Sequence, residues 1–509
     1  MGNIAEHIRE MAAKQPEKQA LLIRKEQGAF ASMTFAELEQ RSNQLAWGLS
    51  NAGMRQGMKV AIFARPSLEL YALLFAVMKL GGIPVMIPQW RGWSHALTCI
   101  MQCAPGAFIG TASTFLMKVF FGRAFSTVNV NIMIGGFQLF GGIPSGKLKT
   151  RQEEYPIHDF GENETEALLF TAGSTGAPKG VALTYGMLER RLEALNELFP
   201  KQGTAPDLSC ALPCTLLELC LGRTVIVEDG DADVLFNAIC AGTPEYAFAY
   251  SSAWHKMYDL CKNQQCRLNG LKTAVILGPP AISSLGRDLT ICALDEEACA
   301  MQTYGTAETG LVSAINCRDM LKLLMQKDNL GKGLPLGAPC KGVGLRIIEA
   351  KDGVGEICVE SGTFPVSYVN RPEETEMSGC AQDGTNWLRT GDLGFLDNDG
   401  TLWHCGRKAF LVETAAGMTL HSSCCEELVN LFPGVRRSLL VGLGEKPSQI
   451  PVLIVEPEPD AYDKLADNKE GLLSHIAAFP QTAGIRHLLF KHELADDAQR
   501  DTQWAAERI

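Results

Sequence analysis

A segment rich in glycine and hydroxyl residues, LFTAGSTGAPKG at positions 169–180, is the first candidate for chemistry in the sequence. Glycine lets backbone N–H groups approach a ligand closely and tolerates positive φ. Ser174 and Thr175 can donate to phosphate oxygens, and Lys179 supplies a positive charge. The apolar run 167–170 predicts a buried strand before the segment, and a helical pattern follows it. The segment is either an ordinary glycine-rich turn or a cradle for a polyphosphate.

A second candidate lies at two later strand ends. One predicted strand ends in Gly278 and Pro279, and residues 300–310 combine an aromatic ring, a glycine, hydroxyls and a carboxylate. Such residues leaving a strand end in an open α/β sheet are typical of a nucleotide site. Tyr304 could lie against an adenine ring, and Glu308 could bind Mg²⁺. For Glu308 alone, a solvated loop acid is the alternative.

The third candidate is an acidic and a basic residue on either side of a tight turn. Asp392 ends a predicted strand, Arg407 comes about fifteen positions later, and residues 397–400 have the composition of a hairpin turn. A carboxylate accepts hydrogen bonds from ribose hydroxyls, and a guanidinium donates to a hydroxyl or a phosphate. The pair therefore predicts a ribose-binding site.

The elements that position these residues alternate between strand and helix. Residues 60–64, 67–80 and 84–87 indicate a strand, a helix and a strand, as in a βαβ unit with a parallel sheet. Residues 337–378 shift to short strands and turns, as a small barrel or sheet would. The tail from about 409 predicts a separate α+β lid of roughly a hundred residues, within the usual size range of a domain.

Residues 115–145 are less regular. Residues 115–121 are apolar, and residues 128–143 contain further apolar residues broken by glycine pairs. The prediction is a strand plus a glycine loop in the core, because the charge pattern of an interfacial helix is missing; a membrane-surface role is the alternative. Residues 141–148 nearly match a P-loop, but Leu148 replaces the Ser or Thr that would reach Mg²⁺, so this interpretation is discarded.

Composition excludes several functional classes. The formal net charge of −11, with no basic tract, argues against a nucleic-acid partner. The 17 cysteines are scattered without zinc spacing, which favours reduced thiols in a cytoplasmic protein. The N-terminus lacks the apolar core of a signal peptide. We expect no transmembrane segment, because no apolar run approaches the ~20 residues that span a bilayer.

Four motifs, in this order along the chain, resemble those of the adenylate-forming superfamily of acyl-CoA synthetases, peptide-synthetase adenylation domains and luciferases. They lie at residues 171–180, 304–308, 390–392 and 406–407. The resemblance implies an α/β fold with a large N-terminal adenylation domain at 1–408, built of two α/β layered sheets and a small β-barrel. It implies a small α+β lid domain at 409–509. The implied activity is activation of a carboxylic acid with ATP and Mg²⁺, giving an acyl-adenylate and pyrophosphate.

The resemblance also implies roles for the matching residues. The implied catalytic residues are Lys179, Glu308 and Thr306, with Glu308 as the Mg²⁺ ligand. The implied nucleotide-binding residues are Thr171, Gly173, Ser174, Thr175, Gly176, Gly180, Gly278, Pro279, Tyr304, Gly305, Asp392 and Arg407. Gly278 and Tyr304 would line the adenine pocket, and the last two residues of that set would hold the ribose.

Further residues resemble the β-lactone synthetases of long-chain olefin biosynthesis within this superfamily. They lie at residues 64–67, 80–85, 368–372 and 405–414. Position 413, commonly lysine in the wider superfamily, is Glu413 here, as in that subfamily. The resemblance implies a 2-alkyl-3-hydroxy fatty acid as substrate, whose own 3-hydroxyl closes on the carbonyl and releases AMP. Other enzymes of an olefin or lipid pathway are then the implied partners, and neither coenzyme A nor a carrier protein is needed.

Three features depart from the superfamily pattern. Ala307 stands where threonine usually precedes the glutamate, and Thr306 is expected to compensate from the adjacent position. Relatives carry a lysine near the C-terminus that contacts the carboxylate and the α-phosphate. Here no lysine follows Lys491, and Arg500 is the cation in the corresponding stretch. Ala409 occupies the usual hinge position.

Two alternative functions stay open beside the β-lactone synthetase. One is a ligase that transfers the acyl group to coenzyme A or a carrier protein. The other is a catalytically impaired adenylate-fold protein that binds acyl groups or nucleotide, which the missing lysine favours and the intact phosphate loop opposes. The acyl chain length is not predicted. A set of apolar residues would line either an acyl tunnel or a plain helix core: Cys214, Leu216, Leu217 and Leu219.

Overall fold

The computed structural model describes most of the chain, in eleven stretches. These are residues 2–25, 29–87, 92–135, 141–171, 178–278, 280, 283–360, 367–382, 385–459, 461–494 and 498–509, with the backbone alone described at 380–382 and 498–500.

Two compact units make up the chain, and each is built from three separate stretches. Unit 1 comprises Met1–Val275, Gly305–Leu311 and Ser361–Asn386. Unit 2 comprises Ile276–Tyr304, Val312–Glu360 and Trp387–Ile509.

The helices vary from one and a half to nearly five turns. They are α1 (Glu6–Lys14), α2 (Phe35–Asn51), α3 (Leu68–Lys79), α4 (Gly92–Cys103), α5 (Ala112–Phe120), α6 (Tyr185–Leu198), α7 (Leu212–Cys220), α8 (Ala232–Gly242), α9 (Ser251–Gln264), α10 (Ser283–Asp288), α11 (Cys317–Leu324), α12 (Pro372–Ser378), α13 (Ser422–Asn430), α14 (Tyr462–Asp467), α15 (Lys469–Ala477) and α16 (Ala498–Ala506). A 3₁₀ turn spans Gly122–Phe125, and a π-helical turn spans Leu289–Ala293. Within the described ranges, none of the helices is both long and apolar enough to cross a membrane.

The strands are mostly short. They are β1 (Gln19–Arg24), β2 (Phe30–Thr34), β3 (Lys59–Phe63), β4 (Ile83–Met86), β5 (Ala107–Gly110), β6 (Val130–Met133), β7 (Ile143–Pro144), β8 (Thr165–Thr171), β9 (Lys179–Thr184), β10 (Asp207–Ser209), β11 (Val225–Val227), β12 (Tyr246–Tyr250), β13 (Thr273–Leu277), β14 (Cys299–Thr306), β15 (Gly310–Asn316), β16 (Leu334–Pro335), β17 (Leu345–Lys351), β18 (Val354–Glu360), β19 (Ser367–Tyr368), β20 (Gly379–Gln382), β21 (Thr385–Leu396), β22 (Leu402–Arg407), β23 (Val412–Glu413), β24 (Thr419–Leu420), β25 (Val435–Leu443), β26 (Ile450–Pro457) and β27 (His487–Phe490).

Unit 1 contains an eight-stranded sheet in the order β19-β9-β8-β4-β3-β5-β6-β7. Strands β3 and β4 pair in parallel with α3 between them, which confirms the predicted βαβ unit. Ser67 begins α3 by accepting a hydrogen bond from the Leu70 N–H at 3.2 Å. Nearly every side chain of α3 is buried, which explains why its sequence is apolar on all sides. Five further strands of unit 1 lie in the order β12-β10-β11-β1-β2.

The strand predicted within residues 115–145 is β6, at Val130–Met133, and part of the predicted glycine loop lies outside the described residues. The apolar segment 115–121 lies instead in helix α5 and the 3₁₀ turn after it. The Thr111 N–H donates to the Thr114 hydroxyl at 2.8 Å, which caps the helix start. Phe115 packs edge-on against Phe108, with ring centroids 5.3 Å apart. The cap and this one anchoring ring outweigh the strand preference of the phenylalanine and valine residues.

Strands β17 and β18 of unit 2 form part of the small antiparallel layer predicted for residues 337–378, and the hairpin that follows extends it. The strands of this layer lie in the order β16-β22-β21-β18-β17. The predicted third strand is instead β19, which pairs with β9 in the sheet of unit 1, and residues 372–378 form helix α12. The C-terminal part of unit 2 has a three-stranded sheet, β25-β26-β27, with helices packed on it. A separate cluster of buried residues between Val412 and Leu488 gives this part its own core.

Most cysteine side chains are buried, and none of those the structure describes is joined in a disulfide. Burial raises the pKa of Cys99, Cys103 and Cys317 to about 12. Cys240 on α8 and Cys292 in the π-helical turn are exposed.

Candidate active site

The β8–β9 hairpin positions the residues at both ends of the glycine-rich segment. In its antiparallel register Thr171 lies opposite Lys179, and Phe170 lies opposite Gly180. The Thr171 hydroxyl donates to the backbone carbonyl of Lys179 at 3.4 Å. A Cβ at Gly180 would lie 2.9 Å from the Phe170 ring, so glycine lets the strands close over that ring. Outside the described residues lie the predicted phosphate-binding Gly173, Ser174, Thr175 and Gly176.

Tyr368 contacts two of the predicted catalytic residues. It lies on β19, opposite Val181 of β9 in an antiparallel pair. Lys179 Nζ lies 5.1 Å from the centroid of the Tyr368 ring, and the Tyr368 hydroxyl donates to Glu308 Oε1 at 2.7 Å. A cation over an aromatic face and a hydroxyl donor to a carboxylate are both attractive. Lys179, Tyr368 and Glu308 thus form one contact set within unit 1, called the Tyr368 group below.

A tight turn fixes the backbone of Glu308. The Thr306 hydroxyl accepts hydrogen bonds from the N–H groups of Glu308 and Thr309, each at 3.2 Å. The Thr309 hydroxyl accepts in return from the Thr306 N–H at 2.9 Å. In this structure Thr306 therefore orients the turn that carries Glu308. Gly305, which precedes it, has no room for a side chain, because a Cβ there would lie 1.9 Å from the Gly310 carbonyl oxygen.

Arg191 on α6 holds the same turn from another side. Its guanidinium donates to the backbone carbonyl of Ala307 and, at 3.5 Å, to that of Glu308. Burial lowers the pKa of Arg191 to about 10, and the Glu308 carboxylate opposes that shift. Arg191 therefore remains charged at neutral pH. Gly310, at φ +70°, would place a Cβ 2.9 Å from the Arg191 side chain, so glycine admits the arginine.

In unit 2, the β21–β22 hairpin places Asp392 and Arg407 directly opposite each other. Arg407 Nε lies 3.0 Å from Asp392 Oδ1. Gly406, at φ +127°, would place a Cβ 2.2 Å from the Ser422 hydroxyl, so glycine is required beside the arginine. The predicted separation of about fifteen residues thus corresponds to two strands joined by a tight turn.

Two further side chains complete the surroundings of Asp392. Tyr304 on β14 donates its hydroxyl to Asp392 Oδ2 at 2.9 Å, and His404 Nε2 lies 3.6 Å from Asp392 Oδ1. Burial alone would raise the pKa of Asp392, but His404, Arg407 and Tyr304 together lower it below its ordinary value. The carboxylate is therefore ionised at neutral pH. Tyr304, Asp392, His404 and Arg407 are called the Asp392 group below.

The Asp392 group contains polar atoms suited to a hydroxylated ligand. Among the described residues, Asp392 Oδ1 and His404 Nε2 are buried without a hydrogen-bond partner of good geometry. A carboxylate oxygen accepts more than one hydrogen bond, so Asp392 Oδ1, beyond its ion pair with Arg407, can still accept from a ligand hydroxyl. Tyr304 is fully buried, and its hydroxyl donates to this carboxylate. The sequence predicted a contact of the Tyr304 ring with adenine but not this hydrogen bond.

An ion-pair cluster braces the strands beneath the Asp392 group. Glu356 on β18 accepts from Arg389 Nε at 3.0 Å and from Lys408 Nζ at 2.9 Å. The Gly391 N–H, next to Asp392, also donates to Glu356, at 3.3 Å. Lys408 immediately precedes the predicted hinge, Ala409. Its hydrogen bond to Glu356 therefore holds the residue before the hinge on the sheet.

The predicted site residues thus fall into two sets, each described within its own unit. Unit 1 holds Thr171, Lys179, Gly180, Gly305, Thr306 and Glu308, and unit 2 holds Gly278, Tyr304, Asp392 and Arg407. Pro279 lies outside the described residues. The contacts of Tyr368, His404 and Arg191 were not predicted from the sequence. Tyr368 and His404 had a signal, since each lies in or beside a motif quoted above, whereas Arg191 is an unremarkable helix position.

The last lysine of the chain, Lys491, makes its contacts within the C-terminal part. The Lys491 ammonium donates to the fully buried Asp501 carboxylate on α16 and lies 5.4 Å from the Trp504 ring. The Arg508 guanidinium lies 4.3 Å from the centroid of the same Trp504 ring. The side chain of Arg500 is outside the described part of the chain.

The two sets have complementary chemistry. The Tyr368 group offers a cation and a carboxylate, the usual protein contribution to a phosphate chain and its metal ion. The Asp392 group offers an ionised acceptor with a guanidinium beside it, suited to a sugar diol. Each set, within its own unit, has the chemistry that nucleotide-using enzymes need. The chain belongs to the AMP-binding enzyme family, whose model matches residues 8–365.

Relatives and solved structures extend this similarity beyond the matched domain. The olefin beta-lactone synthetase of Xanthomonas campestris pv. campestris is 29% identical, over 100% of this chain and 96% of its own. The 2-succinylbenzoate–CoA ligase of Bacillus cereus strain Q1 is 26% identical over 86% of each chain. The structure of O-succinylbenzoate coenzyme A synthetase from Bacillus subtilis, in complex with ATP and magnesium ion, matches with a TM-score of 0.74, 22% identity and 97% coverage of each chain.

These similarities confirm the predicted α/β adenylate-forming fold and the enzyme class. The chain is an AMP-forming acid ligase or synthetase. The residue roles and the domain boundary at 408 stay predictions.

Proposed function

We propose that the protein activates a fatty 3-hydroxy carboxylic acid with ATP and Mg²⁺ and then closes it to a β-lactone. In the first step the carboxylate oxygen attacks the α-phosphorus, and the bond from that phosphorus to the leaving pyrophosphate breaks. In the second, the 3-hydroxyl oxygen bonds to the acyl carbon, its proton leaves, and the bond to AMP breaks. The products are the lactone, AMP and pyrophosphate.

The observation that carries the proposal is the full-length similarity to an olefin beta-lactone synthetase, which extends through the C-terminal part as well. Glu413 lies in that part, on β23, where the wider superfamily commonly has lysine. Two hydrogen bonds join its backbone to Gln449. The Glu413 N–H donates to the Gln449 side chain at 3.2 Å, and the Gln449 N–H donates to the Glu413 carbonyl at 2.8 Å. The position is thus fixed within unit 2.

Each group has a defined task in the first step. Lys179 neutralises phosphate charge as pyrophosphate leaves, and Tyr368 holds both that ammonium and the Glu308 carboxylate in place. Glu308 fits a Mg²⁺ ligand, because this ion typically takes one or two carboxylates plus phosphate oxygens. When bound, Mg²⁺ supplies charge neutralisation at the phosphates. Asp392 and Arg407 hold the ribose, and the pre-formed ion pair fixes both side chains before ATP arrives.

The second step needs little from the protein. The attacking hydroxyl belongs to the same molecule as the carbonyl, so its effective molarity is high and AMP is a good leaving group. Exclusion of water protects the adenylate until the ring closes. We assign this exclusion to residues 409–509 acting as a lid over residues 1–408. The separate core between Val412 and Leu488 supports that division.

A ligase that uses coenzyme A or a carrier protein is the second candidate. The similarity to 2-succinylbenzoate–CoA ligase favours it, although it covers less of the chain. A catalytically impaired binding protein is the third, and the engagement of Lys491 with Asp501 favours it.

Mass spectrometry of the products separates these candidates. The protein is incubated with ATP, Mg²⁺ and a syn-2-alkyl-3-hydroxy fatty acid, without and with coenzyme A. We expect lactone and AMP in both incubations. The matched 2-alkyl acid without the 3-hydroxyl should support ATP–pyrophosphate exchange but give no lactone.

Two outcomes would contradict the proposal. Thioester formed only with coenzyme A, and no lactone in either incubation, would assign the protein to the ligases. Nucleotide binding without exchange on any fatty acid in a panel would assign it to the binding proteins.

A further inference from the structure

Helix α5 is apolar on two sides, and one of them faces solvent. Thr114 and Phe115 are buried on the inner side. Leu116, Val119 and Phe120 follow the i, i+3, i+4 spacing of a single helix face, and all three are exposed. Phe120 is 71% exposed and Val119 is 58% exposed. A surface helix normally turns its apolar stripe inward, so a second, outward stripe indicates a surface that something covers.

Neighbouring residues extend this surface. The 3₁₀ turn after α5 contacts both α4 and α5. Phe121 precedes that turn and Met101 lies on α4, and both side chains are exposed. The five exposed apolar residues are called the α5 surface: Met101, Leu116, Val119, Phe120 and Phe121.

Helices α4 and α5 and the 3₁₀ turn that follows contain two basic residues and no acidic residue, although the whole chain carries a net charge of −11. Arg123 is exposed in the 3₁₀ turn, and within the described part of the chain it has no acidic partner. Lys118 on α5 donates to Asn131, an uncharged side chain, and so keeps its charge uncompensated.

We propose that the α5 surface docks the protein peripherally on an anionic lipid bilayer. Exposed phenylalanine and aliphatic side chains beside basic residues suit the boundary between headgroups and acyl chains. Anionic headgroups attract Arg123 and Lys118, while the acidic remainder of the chain is repelled, so the protein meets the bilayer with this face. A second copy of the chain is a poorer occupant, because pairing two α5 surfaces would bring basic regions together.

Vesicle sedimentation of the full-length protein tests the proposal. We expect binding to vesicles of phosphatidylcholine with phosphatidylglycerol, weaker binding to phosphatidylcholine alone, and weakening with added salt as headgroup charge is screened. The double variant Val119→Ser/Phe120→Ser should lower the partition coefficient about tenfold or more, since two exposed apolar side chains are lost. Arg123→Glu should lower binding to the anionic vesicles and leave the residual binding to neutral vesicles unchanged.

A control replaces two other exposed apolar residues of the described chain, both in unit 2 and not in unit 1, which holds α5. Met325 is 84% exposed and Leu431 is 51% exposed. Met325→Ser/Leu431→Ser should partition like the wild type. Thermal unfolding of each variant shows that the replacements leave the fold intact.

Three outcomes would overturn the proposal. The first is that the wild type does not bind anionic vesicles at low salt. The second is that Val119→Ser/Phe120→Ser binds them as well as the wild type does. The third is that the protein does not bind vesicles but forms a concentration-dependent dimer, which the double variant abolishes. The last would assign the surface to a second copy. Vesicle binding requires no acyl activation, so the experiment is independent of the proposed reaction.

Discussion

The Tyr368 group and the Asp392 group differ in how the chain assembles them. Asp392 and Arg407 lie opposite each other in one hairpin, so a single strand register sets their contact. Lys179, Glu308 and Tyr368 come from three segments far apart in sequence and meet through one hydroxyl and one ring. The Asp392 carboxylate is buried, whereas Lys179 and Glu308 are partly exposed.

Under the proposed function, this difference suits the two groups to different parts of ATP. A pair fixed by strand register is pre-formed and tolerates little movement, which suits a part of the substrate that does not react. A set held by long-range contacts can adjust as charge develops, which suits the phosphates. Substitutions in the Tyr368 group should therefore affect the rate of adenylation, and substitutions in the Asp392 group should affect ATP affinity.

The largest effect is expected for Lys179→Ala. Loss of the ammonium removes the main positive charge of the Tyr368 group, and removal of one transition-state contact typically costs at least about 100-fold in rate. We expect ATP–pyrophosphate exchange to fall to background while the protein stays folded. Lys14→Ala, at an exposed lysine that pairs only with Glu10 in the described structure, is the control. Exchange near the wild-type rate in Lys179→Ala would refute the role of this lysine.

Asp392→Asn should act mainly on ATP binding. The amide keeps the shape but removes the charge that Arg407 and His404 face, and a charged hydrogen bond is worth about 1.5–3 kcal/mol. The KM for ATP should therefore rise about 10- to 100-fold, with a smaller change in kcat. A fall in kcat at unchanged KM would place Asp392 with the reacting groups and erase the distinction between the two sets.

The same variant should change the pH dependence of stability. The pKa of Asp392 is lowered in the fold from its ordinary value of 3.8. Its contribution to stability is therefore present in full well above pH 3.8 and is lost as the pH falls through the lower, folded value. Urea unfolding at several pH values should show wild type and Asp392→Asn differing by a constant free energy near neutral pH and converging below 3.8. A constant difference down to the lowest pH would show that the carboxylate is not held ionised.

Tyr368→Phe tests the hydroxyl of the Tyr368 group alone. The ring stays over Lys179, and the hydrogen bond to Glu308, worth about 0.5–1.5 kcal/mol, is removed. Exchange should fall about three- to tenfold, and the Mg²⁺ concentration for half-maximal rate should rise, because Glu308 is less well placed. Tyr368→Leu, which removes the ring as well, should be worse. An unchanged Mg²⁺ dependence in both variants would show that Tyr368 is only structural.

Thr306→Ala should give the smallest effect of the four. Its hydroxyl accepts from two backbone N–H groups of the Glu308 turn, a local contact worth about 1 kcal/mol. Exchange should fall a few-fold, and Thr306→Ser, which keeps the acceptor, should recover most of it. A loss as large as that of Lys179→Ala would instead give Thr306 direct contact with the reacting atoms.

The sequence predicted best what depends on short-range pattern. The tight turn at 397–400 placed Asp392 near Arg407, and the alternation of strand and helix predicted the βαβ unit. The Tyr368 contacts could not be derived in this way, because nothing local to residue 368 specifies that its strand pairs with β9. Helix α5 was missed for the opposite reason. A local cap at Thr111 and Thr114 decided the conformation against the preference of the apolar residues.

Two of the cysteines that the structure describes are exposed and offer natural labelling sites. Maleimide reacts with accessible thiolates. Buried cysteines such as Cys99 and Cys317 are inaccessible, and burial raises their pKa and so keeps them protonated. Cys240 and Cys292 are exposed, the first in unit 1 and the second in unit 2. Spin or fluorescent labels at these two native positions would follow the distance between the units as ATP and the acid are added, without an engineered cysteine. The turnover cycle could then be observed in the wild-type sequence.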